Sequence, residues 1–232
     1  MNCVLLVKIL SCCCLHPSKR IVLNQCLIVV LWCEYRVRNV HLPLLAEKTS
    51  TMNTSNNIFV FDMDNTLIKT DKANNLAYSE AISSVLGVNC NIENGKRFTR
   101  NELKKLFPQL TQTQIDEIID HKEKRFESYL NETELNNNLF SILKRLHQEG
   151  HHTILLTNCH SGRAIRLCNF YNLTKYFVRR FFYEDCLDNK YTLLKSIGYD
   201  LQNVVLYEND EASSLEAVTN GINLSNIIKV EF

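Results

Sequence analysis

The stretch Phe61-Asp62-Met63-Asp64-Asn65-Thr66-Leu67 decides how this chain is read. Four apolar residues, Ile58 to Phe61, run without interruption into two carboxylates two positions apart. A short apolar run closed by polar residues is the pattern of a strand buried on both faces of a parallel sheet. Asp62 and Asp64 then fall at the carboxyl edge of that strand, where open α/β sheets bind ligands. Two carboxylates there are costly unless protons or a cation neutralise them. Mg2+, a hard cation that takes oxygen ligands and substrate phosphate, suits the pair. An Asp-x-Asp pair is by itself often a solvated turn or a helix cap, so its neighbours along the chain must decide.

Downstream, β-type runs alternate with helical periodicity. Further strands are read at Thr153 to Thr157, Phe181 to Tyr183, Val204 to Tyr207 and Ile227 to Val230. Between them the spacing predicts helices over 138–149, stopped by Gly150, over 161–171, opened by Ser161, over 190–197, stopped by Gly198, and over 211–220, stopped by Gly221. This alternation is that of a doubly wound α/β domain. One stretch breaks it, because residues 72–134 read as helices only. Tyr78, Ile82, Val85 and Leu86 form an apolar stripe before Gly87, Thr99 and Glu102 are spaced as a capping box, and Ile115, Ile118, Ile119, Phe126 and Tyr129 form a further stripe. A helical insertion of this size is expected to sit as a small cap over the carboxyl edge of the sheet.

With these elements in place, Asp62-Met63-Asp64-Asn65-Thr66-Leu67 after a hydrophobic strand resembles the first motif of the haloacid dehalogenase superfamily, most of whose members are Mg2+-dependent phosphohydrolases. The resemblance spans roughly residues 57–225 and is nearest to members with a small helical cap between motifs one and two, such as phosphoglycolate phosphatases and beta-phosphoglucomutases. It implies that Asp62 is the nucleophile that becomes an aspartyl-phosphate and that Asp64 is the general acid/base. Leu155-Leu156-Thr157-Asn158 resembles motif two, which makes the Thr157 hydroxyl and the next backbone N–H, that of Asn158, the phosphoryl holders. Lys190, opening a helix, resembles the motif-three lysine, with Lys195 as a rival on the same helix. Val204-Val205-Leu206-Tyr207-Glu208-Asn209-Asp210 resembles motif four, where Asp210 is expected to bind the metal with Asp62 and Asp64, and Glu208 to be a second acid. Two departures stand out. Asn65 holds a place usually taken by Gly, and Asn209 and Ser214 stand where a carboxylate is expected. An Asp at the second position of motif one speaks against dehalogenation, whose branch lacks it and works without Mg2+.

Composition bounds the rest. The 232 residues carry 26 Lys+Arg and 25 Asp+Glu, a net of +1, so a nucleic-acid binder working by bulk charge is not expected. The average hides a break near Met52. Residues 1–51 hold six of the ten Cys and six Lys+Arg against two Asp+Glu, a net of +4, which leaves −3 for residues 52–232. The apolar run Ile21 to Cys33 is 13 residues long, short of the roughly 20 that span a bilayer. Residues 1–51 are thus read as an N-terminal extension, expected to be poorly ordered, with a membrane anchor or targeting role as the alternative. Cys90, Cys159, Cys168 and Cys186 lack CxxC spacing and a nearby His cluster, so zinc is not expected and a reducing, cytoplasmic location is. His160 and the charge-alternating run Lys122-Glu123-Lys124-Arg125 are read as solvated helix faces, and Arg163 as either solvent-facing or substrate-contacting.

The expectation is therefore an α/β protein with a Rossmann-like doubly wound parallel sheet. It has core segments 52–70 and 135–232 and a helical cap at 71–134. It should hydrolyse a small phosphorylated metabolite with Mg2+. A phosphomutase of the same fold and a catalytically weak binding protein are the alternatives.

Overall fold

In chain order, β1 (Ile58–Phe61) leads through a tight loop to β2 (Ile68–Lys69), then to three helices, α1 (Asp71–Leu86), α2 (Arg100–Leu106) and α3 (Gln112–Arg125). A 3₁₀ stretch (Phe126–Glu132) and β3 (Glu134–Leu135) follow. The chain continues with α4 (Asn137–Gln148), β4 (His152–Leu156), α5 (Ser161–Phe170), β5 (Arg179–Phe181), α6 (Lys190–Ser196), β6 (Val204–Glu208), α7 (Glu211–Asn220) and β7 (Ile227–Lys229). The structure is a computed structural model and describes residues 57–92, 95–186 and 188–232. The readings made of residues 1–51 lie outside the described residues.

Five strands form one parallel sheet in the order β5-β4-β1-β6-β7. Residue alternation gives each face its own core. Phe61, Leu155 and Tyr207 face Leu139, Leu143 and Leu146 of α4 and Ala164 and Leu167 of α5. Val60, Ile154, Leu156, Val204 and Leu206 face Tyr191 and Leu194 of α6 and Ala217 of α7. This is the doubly wound sheet expected. The chain runs outward from β1 through β4 to β5, then returns to β6 on the other side of β1. The strand order thus reverses beside β1, and its carboxyl end opens on the crevice where such sheets bind ligands.

The helices between β1 and β4 have a core of their own, built from Tyr78, Ala81, Ile82, Leu103, Ile115 and Ile118. Their ends are capped as the sequence predicts. Thr99 and Glu102 make a reciprocal capping box, and Gly87 closes α1 at φ 66°, a left-handed conformation that suits a residue without Cβ. Thr111 and Gln114 form a second box at α3.

The structure differs from the sequence reading at several points. β2 and β3 pair antiparallel, Ile68 with Leu135 and Lys69 with Glu134. A two-residue ladder is too short to leave a periodic signal, yet the chain enters and leaves the helical insertion there. α1 starts at Asp71, ahead of the apolar stripe, because Asn74 and Asn75 are buried and hold the 95–99 loop through Phe98 O, Lys96 O and Phe98 N–H. β5 starts at Arg179, two residues before the apolar run, since an edge strand tolerates charged side chains. Lys122, expected in solvent, is 4 % exposed and packs its ammonium 5.1 Å from the Tyr78 ring centroid. Among the described residues no helix is long and apolar enough to cross a membrane, and Cys90, Cys159, Cys168 and Cys186 are free thiols.

Candidate active site

The β1 ladder continues one residue past the strand, with Asp62 N–H donating to Tyr207 O at 3.1 Å. The chain then turns tightly. Met63 O accepts from the N–H groups of Thr66, Leu67 and Ile68, at 3.3, 3.0 and 3.0 Å. Asn65 stands at φ 60°, a left-handed conformation that Asn adopts more readily than other side chains with a Cβ. Its side chain ties the loop to the start of α1, with Oδ1 accepting from Thr70 N–H at 3.1 Å and Nδ2 donating to Asp71 Oδ1 at 2.7 Å.

Asp62 is 7 % exposed at the carboxyl edge. Lys190, at the first position of α6 and 2 % exposed, donates its ammonium to Asp62 Oδ1 at 2.9 Å and to Glu208 Oε2 at 2.8 Å. The Thr66 hydroxyl accepts from Asn209 N–H at 3.2 Å and lies 3.2 Å from Asp62 Oδ2 and 2.9 Å from Asn209 Oδ1. Its single proton serves one of those two acceptors. Burial pushes the Asp62 carboxyl up to about 7; Lys190 opposes the shift and Glu208 adds to it. Burial works against the Lys190 charge, but the two carboxylates outweigh it and hold the ammonium above the ordinary lysine range. With Asp62 ionised, one ammonium between two buried carboxylates leaves a formal charge of about −1, an environment that attracts a further cation.

Glu208 ends β6 and is 1 % exposed. Its Oε1 accepts from Asn209 N–H and Asp210 N–H, both at 3.1 Å. Its Oε2 accepts from Lys190, from the Ser213 hydroxyl at 2.8 Å and from the Tyr191 hydroxyl at 3.4 Å. Both oxygens are thus occupied, and Glu208 acts as the anchor of Lys190. Asp210 joins this group through its backbone N–H, and its carboxyl serves another role. It is exposed, and its Oδ1 accepts from Ser213 N–H at 2.7 Å as the N-cap of α7. Asn209, between them, turns its amide to Thr66 and so toward Asp62.

On the other side of β1, Phe61 is in register with Leu155. Thr157 therefore follows β4 at the same edge as Asp62. It is buried, donates its N–H to Phe181 O at 3.1 Å and accepts from Cys159 N–H at 3.1 Å through its hydroxyl. Asn158 beside it is exposed.

The Asp64 carboxyl is held by cations. Oδ1 accepts from the Thr70 hydroxyl at 2.6 Å; Oδ2 accepts from Arg97 Nη2 at 3.1 Å and Arg163 Nη2 at 3.0 Å. Burial alone would raise its titration, but the two guanidinium groups and the Thr70 bond hold it far below the usual carboxylate range. The sequence leaves Arg163 undecided, and nothing in it singles out Arg97, which lies between helices without periodic context. His160, read as solvent-facing, is partly exposed, with Nδ1 3.0 Å from Glu184 Oε1.

The donor chemistry fits a hard cation. The Asp62 carboxylate and the Asn209 Oδ1, both beside the Thr66 hydroxyl, are hard oxygen donors, and Mg2+ takes one or two protein carboxylates beside waters and substrate phosphate. Among the described residues no three His, Cys, Asp or Glu side chains converge as a metal cluster.

A parallel doubly wound sheet with buried Asp and Lys at its switch point and a helical insertion after the first strand defines an α/β enzyme core. Residues 59–212 match the family model of haloacid dehalogenase-like hydrolases, and the chain belongs to that family. A search of curated proteins found no match. Among solved structures, a predicted phosphoglycolate phosphatase from Haemophilus somnus superposes with a TM-score of 0.63 at 16% identity, over 76% of this chain and 85% of that one. CbbY from Rhodobacter sphaeroides in complex with xylulose-1,5-bisphosphate gives 0.63 at 15% identity, over 75% and 86%. A hydrolase from Pseudomonas syringae gives 0.58 at 17% identity, over 72% and 82%. At these identities the likeness is one of fold.

Proposed function

We propose that the protein is a Mg2+-dependent phosphatase that hydrolyses a small phosphomonoester through an aspartyl-phosphate on Asp62. The observation that carries this reading is the buried Asp62–Lys190–Glu208 set at the carboxyl end of β1, on the same sheet edge as Thr157. Asp62 attacks phosphorus, which splits hydrolysis into two displacements. Lys190 is placed to offset the charge of the carboxylate and the phosphoryl oxygens. The Thr157 hydroxyl and the Asn158 N–H hold those oxygens. Mg2+, held by Asp62 and the Asn209 amide oxygen, would supply screening between nucleophile and phosphate. Asp64, kept ionised by Arg97 and Arg163, is poised to take the proton of the water that attacks the phosphoaspartate. Its donor role toward the departing alkoxide requires Arg97, the more exposed of the two, to give way while Arg163 stays in place.

The helical insertion is the proposed cap, which sequesters a small substrate from water. The complex of CbbY with xylulose-1,5-bisphosphate is consistent with a small phosphorylated substrate. Among the described residues, the free thiols of Cys90, Cys159, Cys168 and Cys186 suit an intracellular protein.

Phosphate release from p-nitrophenyl phosphate by the full chain tests the reading. Release with Mg2+, none with a chelator and none from Asp62→Asn are expected; equal release by Asp62→Asn contradicts it. A second reading, a phosphate-binding protein with weak turnover, draws on Glu208 being occupied at both oxygens and on the neutral Asn209. The same assay separates the two.

A further inference from the structure

Two guanidinium groups meet on Asp64 Oδ2, and they differ in kind. Arg97 precedes α2, its side chain is 25 % exposed, and it also donates to Thr70 and Asp71. Arg163, on the first turn of α5, is 5 % exposed, and each of its three nitrogens has a partner. Nε donates to Cys159 Sγ at 2.9 Å, Nη1 to Glu123 Oε1 at 3.3 Å and Nη2 to Asp64 Oδ2 at 3.0 Å, and the group lies 5.3 Å from the Phe126 ring centroid. A planar fork spread over three partners has no second orientation that keeps them.

Glu123, on α3 of the insertion, is itself fixed. Lys122 Nζ donates to its Oε1 at 2.7 Å and Arg166 Nη2 to its backbone carbonyl at 3.0 Å, while Oε2 is buried without a partner. A carboxylate in such surroundings does not shift without disturbing Arg163. The chain of contacts thus runs from the insertion, through Glu123 and Arg163, to the carboxyl that handles protons beside Asp62.

We propose that Arg163 is a positioning residue for Asp64, and that Glu123 sets Arg163 in turn, so that the helical insertion determines where the Asp64 carboxyl points. This rests on the acid/base role given to Asp64 above. Neither residue touches the phosphoryl group; both act through Asp64.

The test is steady-state kinetics on the full chain with p-nitrophenyl phosphate and Mg2+, for Arg163→Ala, Arg163→Lys and Glu123→Gln, each alone and combined with Asp64→Asn. Arg163→Ala is expected to lower kcat by on the order of 10²-fold with KM little changed, the size of a misplaced catalytic group. In the Asp64→Asn background the same change is expected to cost nothing further, because residues acting as one unit are non-additive. Arg163→Lys restores part of kcat, and Glu123→Gln lowers it less than Arg163→Ala does. Should Arg163→Ala fail to fold by circular dichroism, Arg163→Lys and Glu123→Gln carry the comparison. Equal losses in both backgrounds, a change confined to KM, or unchanged kcat overturns the proposal. A wild type without activity, or an active Asp62→Asn, overturns the functional reading and this inference with it. With an active wild type and a dead Asp62→Asn, a failed comparison counts against the positioning role of Arg163 alone.

Discussion

Lys190 Nζ lies 2.9 Å from Asp62 Oδ1, with both side chains buried at the carboxyl end of the central strand. The same ammonium holds Glu208, so removing it leaves two buried carboxylates without their cation. Breaking a buried ion pair by deleting one partner costs about 3–5 kcal/mol. Lys190→Ala is therefore expected to lower unfolding free energy in urea by about that much, and Lys190→Ala with Glu208→Gln to recover part of it. A loss under about 1 kcal/mol for the single variant contradicts the role assigned to the pair.

The same burial predicts a pH dependence. The Asp62 carboxyl, pushed up to about 7, keeps its proton below neutrality, and a cation must displace that proton to bind. Mg2+ affinity should rise between pH 6 and 8 and level off above, with protons released on binding near pH 7. Titration calorimetry in two buffers of different ionisation enthalpy reads both. The stability sign follows from the same raised value. The folded state holds the Asp62 proton more tightly than the unfolded chain, so the group's contribution is full at acid pH and is lost as pH rises through about 7. Affinity that does not change with pH contradicts this.

Asn65 offers a backbone test. At φ 60° an Ala side chain is strained by roughly 1–2 kcal/mol, whereas Gly is at ease. Asn65→Ala is expected to lower the melting temperature more than Asn65→Gly, although both lose the bonds to Thr70 and Asp71. The reverse order contradicts backbone strain as the cause.

Much of the fold is legible in the sequence because its signals are local. The four-residue apolar run before Asp62, the glycines closing helices and the Thr99–Glu102 box each fix an element from a few neighbouring residues, and each is found in place. Asp62, Thr157 and Lys190 are readable because a strand end or helix start exposes them to one edge. What escapes depends on long-range partners. Asp210 and Glu208 differ by two positions, and only the packing of β6 and α7 shows that one caps a helix while the other holds Lys190. In the sequence nothing singles out Arg97, Arg163 is left between solvent and substrate, and Lys122 is read as solvated; Arg97 and Arg163 are held by Asp64, 33 and 99 positions away, and Lys122 packs on Tyr78.

Burial also sets thiol reactivity. It pushes Cys159 up to about 12 and Cys168 to about 11, so both should resist iodoacetamide at pH 8 in the native state and react after unfolding. Mass mapping of the alkylated chain reads each position separately. Rapid native labelling of Cys159 contradicts the packing of Arg163 against it.

The central claim is that a phosphoryl group passes through Asp62. The most direct measurement is to quench the full chain with acid during turnover of a phosphomonoester and Mg2+, reduce it with borohydride, and map the peptides by mass. Reduction of an acyl phosphate converts Asp to homoserine, and that mark is expected at residue 62 and nowhere else. Turnover with residue 62 unmarked, or with the mark on another carboxylate, contradicts the claim.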